Sequence, residues 1–348
     1  MLAALRLIAP GKPLREGLDR ILQAKMGALI VVGDGPDVLS ICSGGFLVDA
    51  EFTPQRLSEL AKMDGAIVLS PDCSRIARAN VHLVPDPEIP TVETGTRHRT
   101  AERVAKQIDA PVIAISEELQ LVAVHRRGLK RTLEPVARVM LRADQALQIL
   151  ERYKTRLDAI SGSLSALEIE DLVTVRDVST ALQRAEMVRR IADEVDEYVI
   201  ELGADGRLTL LQLEELMAGV DDDRRLFAKD YVQPAPEYQL NDALAALATL
   251  DTDSLLDLRE VAATLHLPHD AGLDTAVQPH GYRLLHKIPR LPEAVADHVV
   301  ERFAHLQKIM RAGVPDLVEV EGVGEARARA IKDGLARLAE TSILERYV

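Results

Sequence analysis

A change in sequence pattern near Pro135 most constrains how this chain can fold. Before it, short apolar runs alternate with segments of helical spacing and with glycine or proline turns, which is the pattern of an α/β domain. After it, long amphipathic segments dominate, and β-rich runs become rare. We therefore predict an α/β domain with a mixed central sheet over 1–140, an all-α spine over 141–280 and a small carboxyl-terminal domain over 281–348.

Apolar spacing and capping residues predict the individual elements. Thr53 is a favourable N-cap, and Pro54 suits the first position of the helix that follows. In the first domain, helices are expected over 14–23, 54–62 and 96–107, and strands over 27–32, 38–42, 66–69, 111–116 and 121–124. Beyond it, helices are expected over 135–160, 165–202, 209–217 and 241–258, with a break at 233–236.

The net charge of −13 is concentrated in the middle of the chain. Residues 1–150 carry 19 basic and 18 acidic side chains, residues 151–280 carry 12 and 27, and residues 281–348 carry 11 and 10. Both ends are nearly neutral, so a DNA-binding carboxyl-terminal domain is compatible with these counts, although overall charge would add little affinity. Two cysteines without paired spacing fit a reducing cytosol, and no apolar run reaches membrane-spanning length, so no membrane partner is expected.

The segment 94–100, Thr-Gly-Thr-Arg-His-Arg-Thr, has the features of an anion site. Gly95 is expected to let the backbone turn tightly, and the helix that follows offers unpaired N–H groups and the positive end of its dipole. Arg97 and Arg99 add two permanent cations, which are unfavourable at that end of a helix unless they bind something. These features favour a polyphosphate site. The competing interpretation is an ordinary exposed helix start.

Asp64 precedes a predicted strand in the sequence Asp64-Gly65-Ala66. The simplest interpretation is an ordinary turn between a helix and a strand. A carboxylate near the end of a helix is electrostatically unfavourable, however, and it suits Mg²⁺ or Mn²⁺, which phosphoryl transfer requires. Three other histidines are interpreted as surface or core residues rather than ligands: His82, His125 and His286.

Several enzyme classes are excluded by motif. The chain has no Gly-x-x-x-x-Gly-Lys-Ser/Thr loop, no Gly-x-Gly-x-x-Gly after a strand and no His-Glu-x-x-His. An ordinary P-loop ATPase, a dinucleotide enzyme and a zinc protease are therefore not expected.

Near the carboxyl end, an apolar-Glu-Gly-apolar-Gly sequence at 320–324 precedes a predicted helix over 326–334. This is typical of the helix-hairpin-helix element, in which Gly322 and Gly324 would let backbone N–H groups approach a DNA phosphate. Residues 287–303 look like a degenerate second copy. The alternative is a glycine turn used only for packing. Three nearby cations are further candidate DNA contacts: Arg327, Arg329 and Lys332.

These motifs, in this order, resemble the diadenylate cyclase family. The resemblance rests on 64–66, on Asn-Val-His-Leu-Val-Pro-Asp-Pro at 80–87 and on 93–103, and the helical spine and hairpin pair extend it over the whole chain to the DNA-scanning members of that family. It implies a nucleotidyltransferase that makes cyclic di-AMP from two ATP with Mg²⁺ or Mn²⁺. It also implies a homo-octamer whose cyclase domains meet face to face, and binding of branched DNA, such as Holliday junctions, that suppresses synthesis during DNA damage and repair.

The resemblance also assigns roles to individual side chains. Asp64 would bind the metal and help to activate the ribose 3′-hydroxyl, and Gly65 and Leu83 would contact the nucleoside. The catalytic set would comprise Asp64, Arg97, His98 and Arg99. The phosphates would be held by Thr96, Arg97, His98, Arg99, Thr100 and Ser116.

An alternative function is that of a nucleotide-sensing, DNA-binding repair-accessory protein without cyclase activity. Asp64 favours the enzyme, because a pure sensor needs no metal-binding carboxylate. A DNA glycosylase of the hairpin class lacks support, since no catalytic aspartate motif follows the hairpin. The expected location is cytoplasmic and nucleoid-associated.

Overall fold

The computed structural model describes residues 1–232, 239–268 and 272–345, with side chains described to residue 341. The chain divides into two compact units, one formed by Met1–Gln145 and Glu194–Gln212, the other by Ala146–Asp193 and Leu213–Val348. The second unit is not divided at residue 281, so that domain boundary stays a prediction. The helix break expected at 233–236 lies outside the described residues. Among those described, no helix combines the length and apolar character needed to span a membrane.

The first unit contains the sheet, and the rest of the described chain is helical. The strands are β1 (Ala28–Val32), β2 (Cys42–Ser43), β3 (Phe46–Glu51), β4 (Ala66–Leu69), β5 (Arg75–Leu83), β6 (Val112–Ser116), β7 (Leu121–Arg126) and β8 (Leu129–Thr132). The helices before residue 110 are α1 (Leu2–Leu7), α2 (Pro13–Gln23), α3 (Pro36–Ser40), α4 (Pro54–Leu60) and α5 (Thr96–Gln107).

The later helices differ widely in length. The long ones are α6 (Val136–Glu170), α7 (Val175–Leu202) and α17 (Glu325–Glu345). Those between them are α8 (Arg207–Met217), α9 (Val220–Tyr231), α10 (Leu240–Thr249), α11 (Thr252–Leu256), α12 (Leu258–Thr264), α13 (Tyr282–His286), α14 (Glu293–Phe303), α15 (Leu306–Arg311) and α16 (Val314–Val318).

The strands form a mixed sheet in the order β2-β5-β4-β1-β6-β7-β8, and β3 also pairs with β5. The pair β1–β4 is parallel, and the other pairs are antiparallel. The prediction of a mixed central sheet followed by a helical region is therefore confirmed. Three of the strands, β3, β5 and β8, have no counterpart in the elements predicted from sequence.

Helices cover both faces of the sheet. Ile30 of β1 lies in an apolar cluster with Leu18 of α2 and Leu57 of α4. Its neighbour Val31 lies in a second cluster with Val104 of α5. Because successive side chains of a strand point to opposite faces, β1 is buried on both sides, as its continuous apolar sequence suggested. This packing holds the start of α5 against the ends of the central strands.

The strand predicted over 38–42 is wrong. Residues Pro36–Ser40 form a short helix instead, and only Cys42–Ser43 pair in the sheet. Gly35 is the N-cap of this helix, and Pro36 takes its first position, where a fixed φ favours helix. A short apolar run cannot by itself distinguish a strand from a buried helical turn.

Three of the later predicted helices also need correction, and the break expected between 160 and 165 lies at 171–174 instead. α6 continues without a break through 160–165, where Ser165 Oγ donates to the carbonyl of Ser161 at 2.9 Å and thus satisfies its hydroxyl within the helix. The helix predicted over 241–258 is instead three short helices. Asp251 and Asp257 cap the second and third, each accepting a backbone N–H at 2.8 Å.

A buried polar network in the second unit fixes the start of α13. The carboxylate of Asp230 accepts the backbone N–H groups of Gly281, Tyr282 and Arg283 at 2.6 to 2.8 Å. Arg283 in turn forms a buried ion pair with Glu168 of α6 at 2.5 Å. Arg283 pairs with Glu168 and three backbone N–H groups satisfy Asp230, so the network holds the start of α13, although Oε2 of Glu168 keeps no hydrogen-bond partner among the described residues.

Candidate active site

A cavity of about 640 Å³ lies at one end of the central strands of the sheet. Its walls come from Leu29 of β1, the residues just before β4, the ends of β5 and β6, and the first turn of α5. It brings together every residue predicted to bind metal or nucleotide except Arg99: Asp64, Gly65, Leu83, Thr96, Arg97, His98, Thr100 and Ser116.

The position of Asp64 is set by close packing between two backbone segments. The register of β4 against β5 shifts between Ala66 and Val68, and Asn80 in this irregular stretch has a left-handed φ of 53°. A Cβ atom at Gly65 would lie 2.4 Å from the carbonyl carbon of Asn80, which real contacts do not allow. Glycine is therefore required beside Asp64, and the carboxylate itself is fully exposed.

The start of α5 differs in one respect from the sequence prediction. Gly95 is the N-cap with φ −80° and ψ 141°, an extended conformation that any residue adopts, so the tight glycine turn expected there is wrong. A Cβ atom at Gly95 would make only an ordinary contact, 3.7 Å from Cδ2 of His98. The predicted helix over 96–107 is confirmed with the same bounds.

Arg97 lies between Gly27, which precedes β1, and Asp64, which precedes β4. Its guanidinium packs directly over Gly27, where a Cβ atom would lie 2.1 Å from Nη1. Its Nη2 is 3.9 Å from Oδ1 of Asp64, and its side chain is only 36% exposed. This places a permanent cation beside the one carboxylate predicted to bind metal.

Arg99 and Ser116 complete the predicted set. Arg99 is exposed and does not line the cavity, because two residues along a helix correspond to a rotation of about 200° from Arg97. Its contact with phosphate stays a prediction. Ser116 ends β6 at the cavity, and its Oγ accepts the N–H of Leu119 at 3.1 Å while its hydroxyl proton can still be donated.

His98 faces the cavity with a second histidine behind it. His125 on β7 is 1% exposed, and the two rings stand edge to face with centroids 6.2 Å apart. Burial lowers the pKa of both rings, so each is neutral at pH 7. A neutral His98 can still donate one hydrogen bond to a phosphate oxygen. His125 is a core residue, as predicted, whereas His82 lines the cavity.

Glu102 organises the loop before α5, a role that sequence reasoning missed. Its buried carboxylate accepts bonds from Thr91 Oγ1 at 2.5 Å and from the Val92 N–H at 3.1 Å. It also pairs with Lys106 at 2.7 Å. Burial alone would raise the pKa of Glu102, but the bonds from Lys106, Thr91 and Val92 together lower it to about 2. The sequence signal was available, since Glu102 and Lys106 are spaced by four residues on one helix.

A second ion pair joins the same loop to the sheet. Lys130 on β8 lies 2.6 Å from the carboxylate of Glu93, which directly precedes the segment 94–100. This contact was not predicted, because β8 itself was not expected from its polar sequence.

The donor set at the cavity fits a hard divalent cation that is held mainly by substrate. The described residues contain no group of three or more His, Cys, Asp or Glu side chains that could hold a metal. Mg²⁺ is commonly bound by one or two carboxylates together with phosphate oxygens and water. The exposed carboxylate of Asp64, beside a cavity with a cationic wall, matches that pattern.

In the second unit, the predicted hairpin residues lie between α16 and α17. Gly322 has a left-handed φ of 81°, and Gly324 has no neighbour within 4 Å of a built Cβ atom. The three nearby cations all contact the protein itself. Arg327 donates to the carbonyl of Gly322 at 2.7 Å, Lys332 donates to the carbonyl of Met310 at 2.7 Å, and Arg329 pairs with Glu325 at 3.0 Å.

The fold and the cavity define a nucleotide-binding domain, and comparison with known proteins gives its class. Residues 15–129 match the family model described as "DisA bacterial checkpoint controller nucleotide-binding" (DAC), and residues 133–273 match the model of the "DisA bacterial checkpoint controller linker region". The chain is a diadenylate cyclase.

Relatives extend the match to the whole chain. The "DNA integrity scanning protein DisA" of Streptomyces coelicolor is 56% identical over 100% of this chain and 94% of its own length. The protein of the same name from Parafrankia sp. is 56% identical over 99% of this chain and 97% of its own. The chain therefore belongs to the DNA integrity scanning protein DisA family.

Proposed function

We propose that this chain joins two ATP molecules into cyclic di-AMP. The observation that carries the proposal is the placement of Asp64 3.9 Å from Arg97 on the wall of a cavity that His98 and Ser116 also line. Each 3′-oxygen forms a bond to the α-phosphorus of the other ATP, and each α–β phosphoanhydride bond breaks. Two pyrophosphates leave, and each 3′-hydroxyl loses one proton.

The residues of the cavity suit these steps. Asp64 would hold Mg²⁺ or Mn²⁺ and help to remove the hydroxyl proton, and the bound metal would neutralise phosphate charge. Arg97 stabilises the charge of the departing pyrophosphate, and the first turn of α5, which begins at Thr96, presents backbone N–H groups to the phosphates. Gly65 and Leu83 leave room for the nucleoside.

The reaction requires two copies of the site. The cavity has the size of a pocket for one small-molecule ligand, so the second ATP must come from another protomer whose cavity faces it. Val92 and Leu119, which flank the lining residues in sequence, are 89% and 67% exposed and would be covered in such a pair. We propose face-to-face pairs of this kind within a homo-octamer.

We further propose that branched DNA, such as a Holliday junction, binds the helix-hairpin-helix region and suppresses the synthesis of cyclic di-AMP. The protein would then be cytoplasmic and associated with the nucleoid. The N–H groups of Gly322 and Gly324 have no hydrogen-bond partner within the described chain, and the turn between α16 and α17 is exposed at both glycines. Such N–H groups bind phosphate without reading bases. The names of the relatives, which refer to DNA integrity scanning, support this proposal.

The test is product analysis by mass spectrometry after incubation of the full chain with ATP and Mg²⁺ or Mn²⁺. Cyclic di-AMP is expected from the wild type, and none from Asp64→Asn. Asp144→Asn is a matched control, since Asp144 is exposed on α6 and lies outside the cavity. Full activity of Asp64→Asn would refute the role of Asp64. ATP binding by the wild type without product would favour the nucleotide sensor.

Pairing and regulation have separate readouts. Specific activity should fall on dilution as the oligomer dissociates, and light scattering should give the mass of an octamer. Addition of a four-way junction should lower the rate more than an equal mass of linear duplex. A rate that is independent of protein concentration down to the monomer would contradict a shared site.

A further inference from the structure

We propose that Arg290, at the tip of the first hairpin, contacts a phosphate of DNA through its side chain. This contact would replace the main-chain N–H contact to phosphate that the second hairpin makes through its glycines. The inference rests on the DNA binding proposed above and names a contact residue that sequence analysis did not assign. It is carried by an internal repeat, by the chemistry of two matched positions and by the distribution of unpaired cations.

The two hairpins are copies related by a constant shift of 32 residues. Helices α13 and α16 begin at 282 and 314 and end at 286 and 318, and each follows an N-cap glycine, Gly281 or Gly313. Helices α14 and α17 begin at 293 and 325. The buried apolar positions repeat with the same shift: Leu285 with Leu317, Ile288 with Val320, Ala296 with Ala328 and Val299 with Ile331.

The turns share their backbone conformation as well. Leu291 donates its N–H to the carbonyl of Ile288 at 3.4 Å, and at the matched positions Val323 donates to Val320 at 3.0 Å. Arg290 has a left-handed φ of 64°, and Gly322, its counterpart, has 81°. Most arginines avoid this conformation, whereas glycine adopts it readily. The first hairpin is therefore a conformational copy of the second, with an arginine where the pattern favours glycine.

A second matched position explains what the arginine would supply. Where the second hairpin has Gly324, with a free N–H group, the first has Pro292, which has no N–H to donate. The first hairpin has thus lost a backbone donor for phosphate. A guanidinium carries five N–H donors and a permanent charge, so Arg290 can replace that donor with a side-chain contact.

Arg290 is exposed and forms no hydrogen bond or ion pair within the described residues, unlike the cations that follow the second turn. At the second hairpin, Arg327 and Lys332 donate to backbone carbonyls, and Arg329 pairs with Glu325. These bonds suit residues that hold the hairpin in shape. The unpaired charge at a hairpin tip therefore belongs to the first copy.

The packing between the copies places both turns on one rigid body. A Cβ atom at Gly334 of α17 would lie 2.9 Å from Ile288 of the first hairpin. Reciprocally, His298 of α14 contacts the carbonyl of Glu321 in the second hairpin at 3.1 Å. Each turn therefore packs on the long helix of the other copy, so both can meet one DNA molecule without rearrangement.

The experiment measures binding of a fluorescent four-way junction to the full-length protein by anisotropy, at several salt concentrations. Arg290→Gly removes the guanidinium and keeps a residue that favours the left-handed backbone, so this variant is expected to fold at least as well as the wild type. We expect its Kd to rise about 3- to 10-fold. We also expect the slope of log Kd against log salt to fall by about one for each protomer in contact. Arg290→Lys should retain most of the slope.

Arg259→Gln is the charge-matched control, because Arg259 is exposed on α12, outside the hairpin pair; it should leave the Kd unchanged. Cyclase activity without DNA should be the same in all these variants. Unchanged binding and slope in Arg290→Gly, with a wild type that binds the junction, would overturn the role of Arg290 alone. A wild type that fails to bind the junction would overturn the proposed DNA binding and this inference together.

Discussion

Gly27 and Arg97 are in such close contact that the smallest side chain at position 27 would collide with the guanidinium. A Cβ atom there would lie 2.1 Å from Nη1 and 2.7 Å from Cζ. Gly27, the residue before β1, thus leaves the space in which the guanidinium of Arg97 lies. Because Arg97 is also 3.9 Å from Asp64, the contact with Gly27 sets the distance between the guanidinium and the carboxylate.

Gly27→Ala should displace the Arg97 guanidinium and leave the fold intact, because the atoms in collision are the far end of a flexible side chain. Loss of a charge-assisted bond of about 1.5–3 kcal/mol corresponds to a loss of about 10-fold or more in kcat/KM for ATP. Steady-state kinetics and thermal unfolding would measure the two effects. Gly35→Ala, with no neighbour within 4 Å, is the control for the kinetics and should leave kcat/KM for ATP unchanged. Unchanged kinetics in Gly27→Ala would show that Arg97 does not depend on this contact.

Gly65→Ala should damage both stability and activity, since its Cβ atom would lie 2.4 Å from backbone of Asn80 rather than from a mobile side chain. Overpacking of this kind costs about 1–3 kcal/mol, and the shift of the backbone carries Asp64 away from the cavity. We expect a lower melting temperature and a kcat reduced at least tenfold. Asn80→Gly should not rescue the variant, because the clash is with Cα and the carbonyl carbon, which glycine retains. Rescue by that second change would contradict the argument.

Glu102→Gln should destabilise the protein at pH 7 by about 1–3 kcal/mol, because it weakens the bonds to Thr91, Val92 and Lys106. The pKa of Glu102 is lowered from 4.5 to about 2 in the folded chain, so its charged form contributes stability above pH 4.5. That contribution is lost as the pH falls from 4.5 toward 2. Denaturant unfolding at pH 7, 5 and 3.5 should therefore show a difference in the free energy of unfolding between wild type and variant, and this difference should become smaller only below pH 4.5. If the difference in the free energy of unfolding were independent of pH, the effect of Glu102→Gln would come from packing and not from the charge of Glu102.

Local sequence signals were sufficient for several elements of the fold. α5 was predicted with its observed bounds, because its apolar positions follow the helical period, and β4 was found because a short apolar run follows an Asp-Gly turn. Long-range pairing was harder to see. β5 alternates imperfectly where its register against β4 shifts near Asn80, and β8 has the polar sequence Leu-Lys-Arg-Thr, so neither resembles an isolated strand.

The candidate site shows the same division. The residue types and their order along the chain were enough to name Asp64, Arg97 and His98, which lie in short motifs, whereas Ser116 was named only through the family resemblance. Distances between motifs depend on strand register, helix rotation and close backbone contacts, none of which is a local property. Folding therefore decided that Asp64 meets Arg97, that Arg99 points elsewhere and that Glu102 is buried under the loop. It also decided that Arg290 is exposed at a turn and has the left-handed backbone of its counterpart Gly322, since a backbone angle is set by the folded hairpin.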